Sequence, residues 1–497
     1  MIAEQLPILQ IIIPLLSAPL CVVLRQRQLV WAIAVAVCWV SLACAIGLLV
    51  QTMDHGPIVY DVGGWPAPLG IVYQVDPLAA LVLVIVTSVA SVVMPYAPRV
   101  LEAEVAKEKH YLFYAALLLC MTGLLGMTIT GDIFNVFVFL EISSLSSYAL
   151  ISMGPQRKAL MASYRYLVMG TIGSTFLLIG IGLAYMMTGT LNMVDLAERL
   201  QGVESSRTIR TAFAFLTVGI SIKMAIFPLH VWLPDAYAYA PSVVTSFLAS
   251  TATKVSCYLL LRVIFTVFGV TFAFDAMRLD TVLMPLSLAA IFVASTVAIY
   301  QTNVKRLLAY SSIAQIGYLV LGLSFASVTG LTACMVHMFN HALMKGTLFL
   351  VMGCIALRLG SVELSDMKGL GRRMPIVMGM FVIGGMNLIG IPLTSGFISK
   401  WFLIKAAMEK DLWIVALATL VSSLLAFVYI LRVVEVAYFQ EPDAETLLKD
   451  ESIAKTPLSM LVPTAVMAVA TIVFGVYPTL PVTVAQQAAE MLLGGGG

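Results

Sequence analysis

The chain is a succession of apolar runs, each about 20 residues long, separated by short polar connections. A run of this length crosses the hydrocarbon core of a bilayer as an α-helix, in which every backbone group is paired within the segment. Charged residues make up only 11% of the 497 residues, against about 25% in soluble domains. The sequence therefore predicts an all-α, polytopic membrane protein.

Fourteen transmembrane helices are predicted from the positions of the apolar runs. They cover roughly residues 6–24, 29–51, 77–97, 110–130, 132–153, 162–188, 208–234, 242–268, 279–301, 304–326, 330–357, 375–406, 411–437 and 456–480. With the N-terminus outside, most Lys and Arg residues of the connections, for example Lys305 and Arg306, face inward. The positive-inside rule then places both termini on the outer side of the membrane.

Three connections are longer than the rest. Residues 52–76 form an outer loop rich in Gly and Pro, and 191–203 place apolar residues on one face of a short helix predicted to lie on the outer surface. Residues 441–455 are acidic and predict a solvated cytoplasmic connection, while the glycines of 494–497 predict a flexible end. The first apolar run has no basic segment before it, so we interpret it as a span and not as a cleaved signal.

Two predicted spans contain residues that interrupt a helix. Span seven holds Pro228 and Pro234, and span twelve holds Gly390 and Pro392; a proline lacks the backbone donor and clashes with the preceding turn. The two spans lie five apart, and adjacent five-helix units run in opposite directions because five is odd. We therefore predict two inverted repeats, helices 4–8 and 9–13, each with one broken helix. The predicted units are 1–109, 110–268, 279–437, and 438–497 with helix 14 and a flexible C-terminus.

Charged residues lie deep within two spans. Glu141 is about ten residues into span five, and Lys254 is the thirteenth residue of span eight. A charge at such depth costs about 3 kcal/mol by insertion scales and usually marks an ion path. The alternative is an ion pair that only locks two helices together.

The depth of two further lysines is ambiguous from spacing. Lys223 reaches the inner surface if span seven ends at Pro228, but the apolar stretch 225–234 favours a helix that resumes. Lys400 is followed by Trp401, an aromatic residue typical of the membrane interface.

Span eleven carries His337, His341 and Lys345, which recur every four residues and so share one side of a helix. Zinc binding is an alternative for the two histidines, but no third ligand lies nearby in the sequence and Lys345 would repel a cation. Histidines exchange protons near neutral pH, which favours a hydrated polar file. The other alternative is a pair of core histidines bonded to neighbouring helices.

Together these groups predict a line of titratable side chains across the membrane plane. In general, a lysine in apolar surroundings releases its proton more readily, and a carboxylate beside it opposes the release. Formation and breakage of an ion pair between Glu141 and a lysine would thus load and release a proton at Lys223 or Lys254. The seven candidates are Glu141, Lys223, Lys254, His337, His341, Lys345 and Lys400.

Other kinds of site are not predicted. The seven cysteines all fall in apolar runs without a CxxC pair, so they indicate buried apolar positions and not metal or cluster ligands. No glycine-rich nucleotide motif occurs. We expect no cofactor, no metal and no nucleic-acid partner.

Five sequence motifs occur in this order: GDIFNVFVFLEISSLSSYAL, SIKMAIFPLHVWLPDAYAYAPSVV, KRLLAYSSIAQIGY, HMFNHALMKGTLF and GIPLTSGFISKWF. Together they resemble the proton-translocating antiporter-like family, whose members are large membrane subunits of Mrp-type sodium/proton antiporters and antiporter-like subunits of respiratory complex I. The resemblance covers roughly residues 70–440 and implies fourteen helices, two inverted five-helix repeats and a central polar axis. One departure is Pro392 followed by Leu393, where many members have two prolines.

The resemblance also implies roles for the candidate residues. Glu141 matches the family's glutamate of span five, and Lys223 its partner lysine of span seven. Lys254 matches the connecting lysine of span eight, and Lys400 the exit-side lysine of span twelve. The histidines of span eleven match in position, and Lys345 fits the same spacing without an implied role. Within the family, residues 131–150 look most like the D-type subunits of the Mrp-type antiporters.

The expected function is proton translocation within a multisubunit monovalent cation (Na⁺)/proton antiporter of the bacterial inner membrane, with the other antiporter subunits and lipid as partners. The chain by itself is then not an enzyme. One alternative is a non-redox, proton-pumping subunit of an NADH:quinone oxidoreductase or related hydrogenase complex, whose redox centres lie on partner subunits. A further alternative is a stand-alone solute carrier.

Overall fold

Long helices make up most of the computed structural model, which describes residues 3–442 and 456–494. The first half contains α1 (Leu6–Leu24), α2 (Arg27–His55), α3 (Pro77–Glu104), α4 (His110–Ile129), α5 (Ile133–Ser152), α6 (Lys158–Thr188), α7 (Met193–Leu200), α8 (Arg207–Met224), α9 (Leu233–Tyr239) and α10 (Ser242–Leu261). The second half contains α11 (Leu279–Ile299), α12 (Val304–Ser324), α13 (Val328–Leu359), α14 (Leu370–Arg373), α15 (Pro375–Ile389), α16 (Ser395–Glu409), α17 (Trp413–Phe439), α18 (Leu458–Val476) and α19 (Thr479–Gly494).

Twelve helices of the described chain are long and apolar enough to cross a membrane, which confirms a multi-pass membrane protein. The predicted spans outside these twelve are the two interrupted ones. The helix α8 carries three basic residues in its 18, and α15 and α16 have 15 residues each, so none is a complete apolar span by itself. The total of fourteen and the inverted repeats stay predictions.

Both interruptions lie where the sequence places them. The helix α8 ends at Met224 because Ala225 adopts a left-handed conformation (φ 61°), and the chain becomes helical again at Leu233. The helix α15 ends before Gly390, whose φ of 85° favours glycine, and α16 begins at Ser395. Each break leaves the last carbonyl groups of a helix without partners in that helix.

The long connections contain structure of their own. The short helix predicted within 191–203 is α7, and its apolar residues Met193, Leu196 and Leu200 are buried against the protein. The 52–76 loop contains an unpredicted antiparallel hairpin of β1 (Ile58–Asp61) and β2 (Val72–Val75). The helix α19 was not predicted either. Residues 443–455 and 495–497 lie outside the described residues, so the acidic connection and the glycine end predicted there stay predictions.

The central helices of the described chain are α3, α4, α10, α12 and α13. Of their membrane-spanning windows, 78–94% of the residues are buried, compared with 33% for α1 and for α18. Side chains on the central helices are thus surrounded by protein and not by lipid. Charged groups can reside there because neighbouring helices supply polar partners.

Gly123 allows α4 to approach the backbone of α5, the helix that carries Glu141. A Cβ at position 123 would lie 2.5 Å from the backbone nitrogen of Ser143 and 2.6 Å from the carbonyl oxygen of Phe139. We expect Gly123→Ala to reduce stability by about 1–3 kcal/mol through overpacking, measured as a lower midpoint of thermal unfolding in detergent. Gly182→Ala on α6 is the matched control, because nothing lies within 4 Å of a Cβ there. Equal midpoints for the two variants would contradict this account.

Candidate functional site

Glu141 and Lys223 face each other between α5 and α8. The Lys223 Nζ lies 3.9 Å from Glu141 Oε1, and the side chains of Lys223 and Glu141 are 5% and 30% exposed, respectively. Lys223 lies in the last turn of α8, where the helix dipole favours a positive charge. The side chain therefore points into the protein and does not reach the membrane surface, which settles the ambiguity left by its spacing.

Hydroxyl groups are the nearest partners of Lys223. Its Nζ donates to Ser144 Oγ at 2.8 Å and to Tyr148 OH at 3.4 Å, whereas its 3.9 Å distance to Glu141 exceeds hydrogen-bond length. Within the described chain, Glu141 Oε1 has no hydrogen-bond partner. The sequence analysis missed Ser144 and Tyr148, although their positions three and seven residues after Glu141 place them on the same side of α5. The ammonium group thus has two alternative kinds of partner within reach.

We expect Ser144→Ala to slow proton translocation about tenfold, because a hydrogen bond to a charged group contributes about 1.5 kcal/mol or more. Without the Ser144 hydroxyl, the Lys223 ammonium group would remain beside the Glu141 carboxylate. Its movement between the two groups would then be slower. Initial rates of driven proton uptake in proteoliposomes measure the effect. Ser146→Ala is the matched control, because that hydroxyl bonds only within its own helix, to the Ile142 carbonyl at 2.7 Å. Wild-type rates for Ser144→Ala would show that the hydroxyl plays no part.

Lys254 is enclosed by protein on the central helix α10. Its side chain is fully buried, and Nζ donates to the Ala249 carbonyl oxygen at 2.5 Å and to Thr253 Oγ1 at 3.5 Å. Among the described residues, no carboxylate lies within 4 Å of it. Its charge lies within electrostatic range of His341 and Lys345 on α13. Lys254 is thus placed beside the histidines, while no direct hydrogen bond joins it to Lys223.

The polar row on α13 is completely buried. The His337 and His341 rings are nearly parallel, with centroids 6.0 Å apart, and His337 Nδ1 lies 2.8 Å from Ser399 Oγ on α16. Lys345 turns toward α12, where Nζ donates to the Leu308 carbonyl at 2.9 Å and to Ser311 Oγ at 2.6 Å. Across the described chain, no three His, Cys, Asp or Glu side chains group together as metal ligands would.

Three nitrogens of the two histidines have no hydrogen-bond partner among the described residues. They are Nε2 of His337 and both ring nitrogens of His341. Buried polar atoms are nearly always bonded to protein or to water. Whether these histidines exchange protons or serve only as core residues stays a prediction of the sequence analysis.

Lys400 is held at the break between α15 and α16. Its Nζ donates to the Ile389 and Leu388 carbonyl oxygens at 2.7 and 3.3 Å, and to Ser423 Oγ at 2.9 Å. Those carbonyls end α15 and lack partners within that helix. The adjacent Trp401 is 58% exposed, whereas Lys400 is buried. The aromatic residue therefore faces outward and the lysine inward.

Asn387 fixes the two halves of this broken helix to each other. Its Oδ1 accepts hydrogen bonds from the Gly396 backbone nitrogen at 2.6 Å and from Ser395 Oγ at 3.1 Å. These bonds satisfy donors in the first turn of α16, which would otherwise be unpaired. The position of Lys400, five residues into α16, thus depends on a side chain of α15.

Comparison with known proteins identifies the family. Residues 130–426 match the model of the NADH:quinone oxidoreductase/Mrp antiporter transmembrane family. The chain belongs to this family.

Three relatives illustrate the range of the family. The chain is 42% identical to NADH-quinone oxidoreductase subunit N of Desulforudis audaxviator, over 95% of this chain and 96% of the relative. It is 30% identical to the D-type Na⁺/H⁺ antiporter subunit of Alkalihalophilus pseudofirmus, over 88% of each chain. It also superposes on a chain of the Mrp complex of Dietzia sp. DQ12-45-1b with a TM-score of 0.90 and 26% identity, covering 99% of this chain and 98% of that one. The family resemblance found in the sequence is confirmed.

The two breaks of this antiporter-family chain share one feature that the sequence concealed. Lys223 precedes its proline and Lys400 follows its own, so the two segments do not align by residue. In the structure, Lys223 is a residue of the last turn of α8, and the Lys400 ammonium group bonds to the carbonyls that end α15. Each lysine is thus associated with the C-terminal end of the first half of a broken helix, where the helix dipole favours a positive charge.

Proposed function

We propose that this chain is the proton-translocating subunit of a multisubunit membrane complex. The observation that carries the proposal is the position of Lys223, 2.8 Å from Ser144 Oγ and 3.9 Å from Glu141 Oε1. A lysine beside a carboxylate holds its proton, whereas one held by hydroxyl groups in apolar surroundings releases it more readily. A small movement of the ammonium group between these partners is therefore a proton switch.

The remaining candidates supply the rest of the path. A proton released at Lys223 passes to Lys254, then to the histidines His341 and His337, and leaves by way of Lys400. The support is the contact of His337 with Ser399, which immediately precedes Lys400 on α16. Lys345 adjusts the charge beside His341. In this proposal the two inverted repeats provide the two halves of the path, and both chain termini lie on the outer side.

The first candidate for the coupled process is exchange of Na⁺ against protons in a bacterial inner-membrane antiporter. Its support is the likeness of residues 131–150 to the D-type subunits of Mrp-type antiporters and the superposition on the Dietzia Mrp complex. In the described residues, no three His, Cys, Asp or Glu side chains group together as ligands of a cation. In this candidate the Na⁺ path runs through partner subunits.

The second candidate is redox-driven proton pumping. It is favoured by the 42% identity to NADH-quinone oxidoreductase subunit N of D. audaxviator, which exceeds the 30% identity to the antiporter subunit of A. pseudofirmus. In this case the chain conducts protons, and electron transfer takes place on partner subunits.

The complex purified through a tag on this chain in mild detergent separates the two candidates. Proton movement driven by a Na⁺ gradient, without flavin or iron–sulfur absorbance, supports antiport. Such absorbance, together with proton movement driven by an electron donor, supports redox-driven pumping. If neither a Na⁺ gradient nor an electron donor moves protons in proteoliposomes of the intact complex, the proposed function is wrong.

A further inference from the structure

The helices α3 and α10 pack against each other, and their ends meet at opposite faces of the membrane. At one face, Glu104 at the end of α3 accepts hydrogen bonds from Ser242 at the start of α10. At the other face, Asp76 before α3 forms an ion pair with Arg262 directly after α10. Lys254 lies between the two ends, about 18 Å along the helix from Ser242 and about 12 Å from Arg262 at 1.5 Å per residue.

The first end is polar and open. The Glu104 carboxylate accepts from the Ser242 backbone nitrogen at 2.6 Å and from its hydroxyl at 2.7 Å, and Lys305 Nζ donates to the same hydroxyl at 2.8 Å. Glu104 and Lys305 line a cavity of about 250 Å³. The sequence analysis counted Lys305 among the charges of an inner connection, but its side chain is buried at the start of α12. The cavity thus lies beside the start of α10, because Glu104 in its wall bonds to Ser242.

The second end is closed by fixed hydrogen bonds. The Arg262 guanidinium bonds to Asp76 Oδ1, and its Nε donates to Tyr258 OH at 2.9 Å. The Tyr258 hydroxyl in turn donates to the Thr128 carbonyl at 2.6 Å. Asp76 also accepts from the Ala79 backbone nitrogen at 2.9 Å. The side chains of Asp76 and Arg262 are each only 9% exposed.

Among the described residues at this end, these bonds hold the polar side chains of Asp76, Tyr258 and Arg262 in place. Lys254, Tyr258 and Arg262 are four residues apart, so they follow one another along one side of α10. The Tyr258 hydroxyl, next to Lys254 in this row, already donates one hydrogen bond and accepts another. Arg262 does not release its proton in proteins and keeps a permanent positive charge. A fixed arginine of this kind excludes protons and cations from membrane pores.

We infer that the permanent charge of Arg262 seals this end of α10 against protons. This inference rests on the proton path of the proposed function. In that path a proton at Lys254 could move along α10 or pass to His341 on α13. The Arg262 charge blocks the route from Lys254 along α10 to the membrane face at which Arg262 and Asp76 lie. Transfer from Lys254 to His341 on α13 remains open. Arg262 thus prevents a proton leak along α10 and does not itself carry protons.

The seal is tested by passive proton entry into liposomes that contain the tagged complex and an internal pH dye. A potassium diffusion potential drives protons in the absence of Na⁺ and of an electron donor. We expect Arg262→Met to increase the leak about tenfold, because the electrostatic barrier of a single charge is lost. Arg262→Lys keeps the charge and the ion pair, and a lysine beside a carboxylate holds its proton, so this variant should leak no more than the wild-type complex.

Asp76→Asn distinguishes sealing from simple anchoring of the helix ends. It breaks the ion pair but keeps the Arg262 charge, and asparagine still caps α3. A wild-type proton leak in the Asp76→Asn complex, together with an increased leak in the Arg262→Met complex, supports the seal. If Asp76→Asn leaks as much as Arg262→Met, or fails to assemble, the pair only anchors the helices and the inference is wrong.

Two further controls complete the experiment. If Arg262→Met does not assemble, the double variant Arg262→Met/Asp76→Asn replaces it, because a neutral pair avoids an unpaired buried charge. If the variant that is used shows no more proton leak than the wild-type complex, the inference is wrong. The proposed function is unaffected in that case as long as the variant still translocates protons under its driving reaction. A wild-type complex that translocates no protons would contradict the proposed function.

Discussion

Glu141→Gln is expected to abolish driven proton translocation in a complex that still assembles. Glutamine has nearly the same shape as glutamate, and Glu141 Oε1 has no hydrogen-bond partner in the described chain that folding would lose. The substitution removes the counter-charge 3.9 Å from Lys223 Nζ, so the ammonium group stays with Ser144 and the switch has one state. We expect a loss of about 100-fold or more, the usual contribution of a positioned proton-transfer group.

Initial rates of driven proton uptake in proteoliposomes, at equal amounts of assembled complex, measure this loss. Glu409→Gln on α16 is the matched control. That glutamate lies 3.7 Å from Lys405 at an exposed position, where ion pairs contribute little. If Glu141→Gln translocates protons at the same rate as the Glu409→Gln control and the wild type, the proposed switch at Lys223 is wrong.

Lys254→Met is expected to eliminate translocation and at the same time to leave the protein equally or more stable. The lysine is fully buried, and within the described chain its ammonium group has only the Ala249 carbonyl and the Thr253 hydroxyl as hydrogen-bond partners. Burial of a charge without a counter-charge is unfavourable, and methionine fills a similar volume without that cost. We expect translocation to fall about 100-fold, as for the loss of other proton-transfer groups.

Two measurements on the same preparation test this expectation: the translocation rate and the midpoint of thermal unfolding. Lys405→Met makes the same chemical change at a lysine that is 55% exposed, so both values should stay at those of the wild type. A marked drop in the unfolding midpoint of Lys254→Met would indicate a structural role for the lysine. Retained translocation would place Lys254 outside the path.

The class of the fold and the depth of Glu141 and Lys254 can be predicted from the residues alone. Apolar runs of membrane length predict helices because each residue contributes its own transfer free energy, whatever lies beside it. Prolines and glycines predict the breaks in α8–α9 and α15–α16 because they act on the local backbone. For the same reason, Glu141 and Lys254 stood out as charges that only a buried polar environment can accommodate.

The partner of each charge, in contrast, depends on how the helices pack. The family resemblance paired Lys223 with Glu141, and the two lie 3.9 Å apart, but the nearest acceptor of Lys223 is Ser144. Trp401 suggested an interfacial Lys400, yet the lysine is turned inward to the carbonyls at the end of α15. Asp76 and Arg262 are 186 positions apart, and neither was a candidate.

This difference arises from the range of the interactions. Hydropathy and helix interruption depend on a residue and its near neighbours in the chain, so a sequence displays them directly. Hydrogen bonds and ion pairs depend on distances of about 3 Å between helices far apart in sequence, and packing alone fixes those distances. The line of buried charges can therefore be predicted from the sequence. The partners of Lys223 and the ion pair at Arg262, in contrast, are determined by how the helices pack.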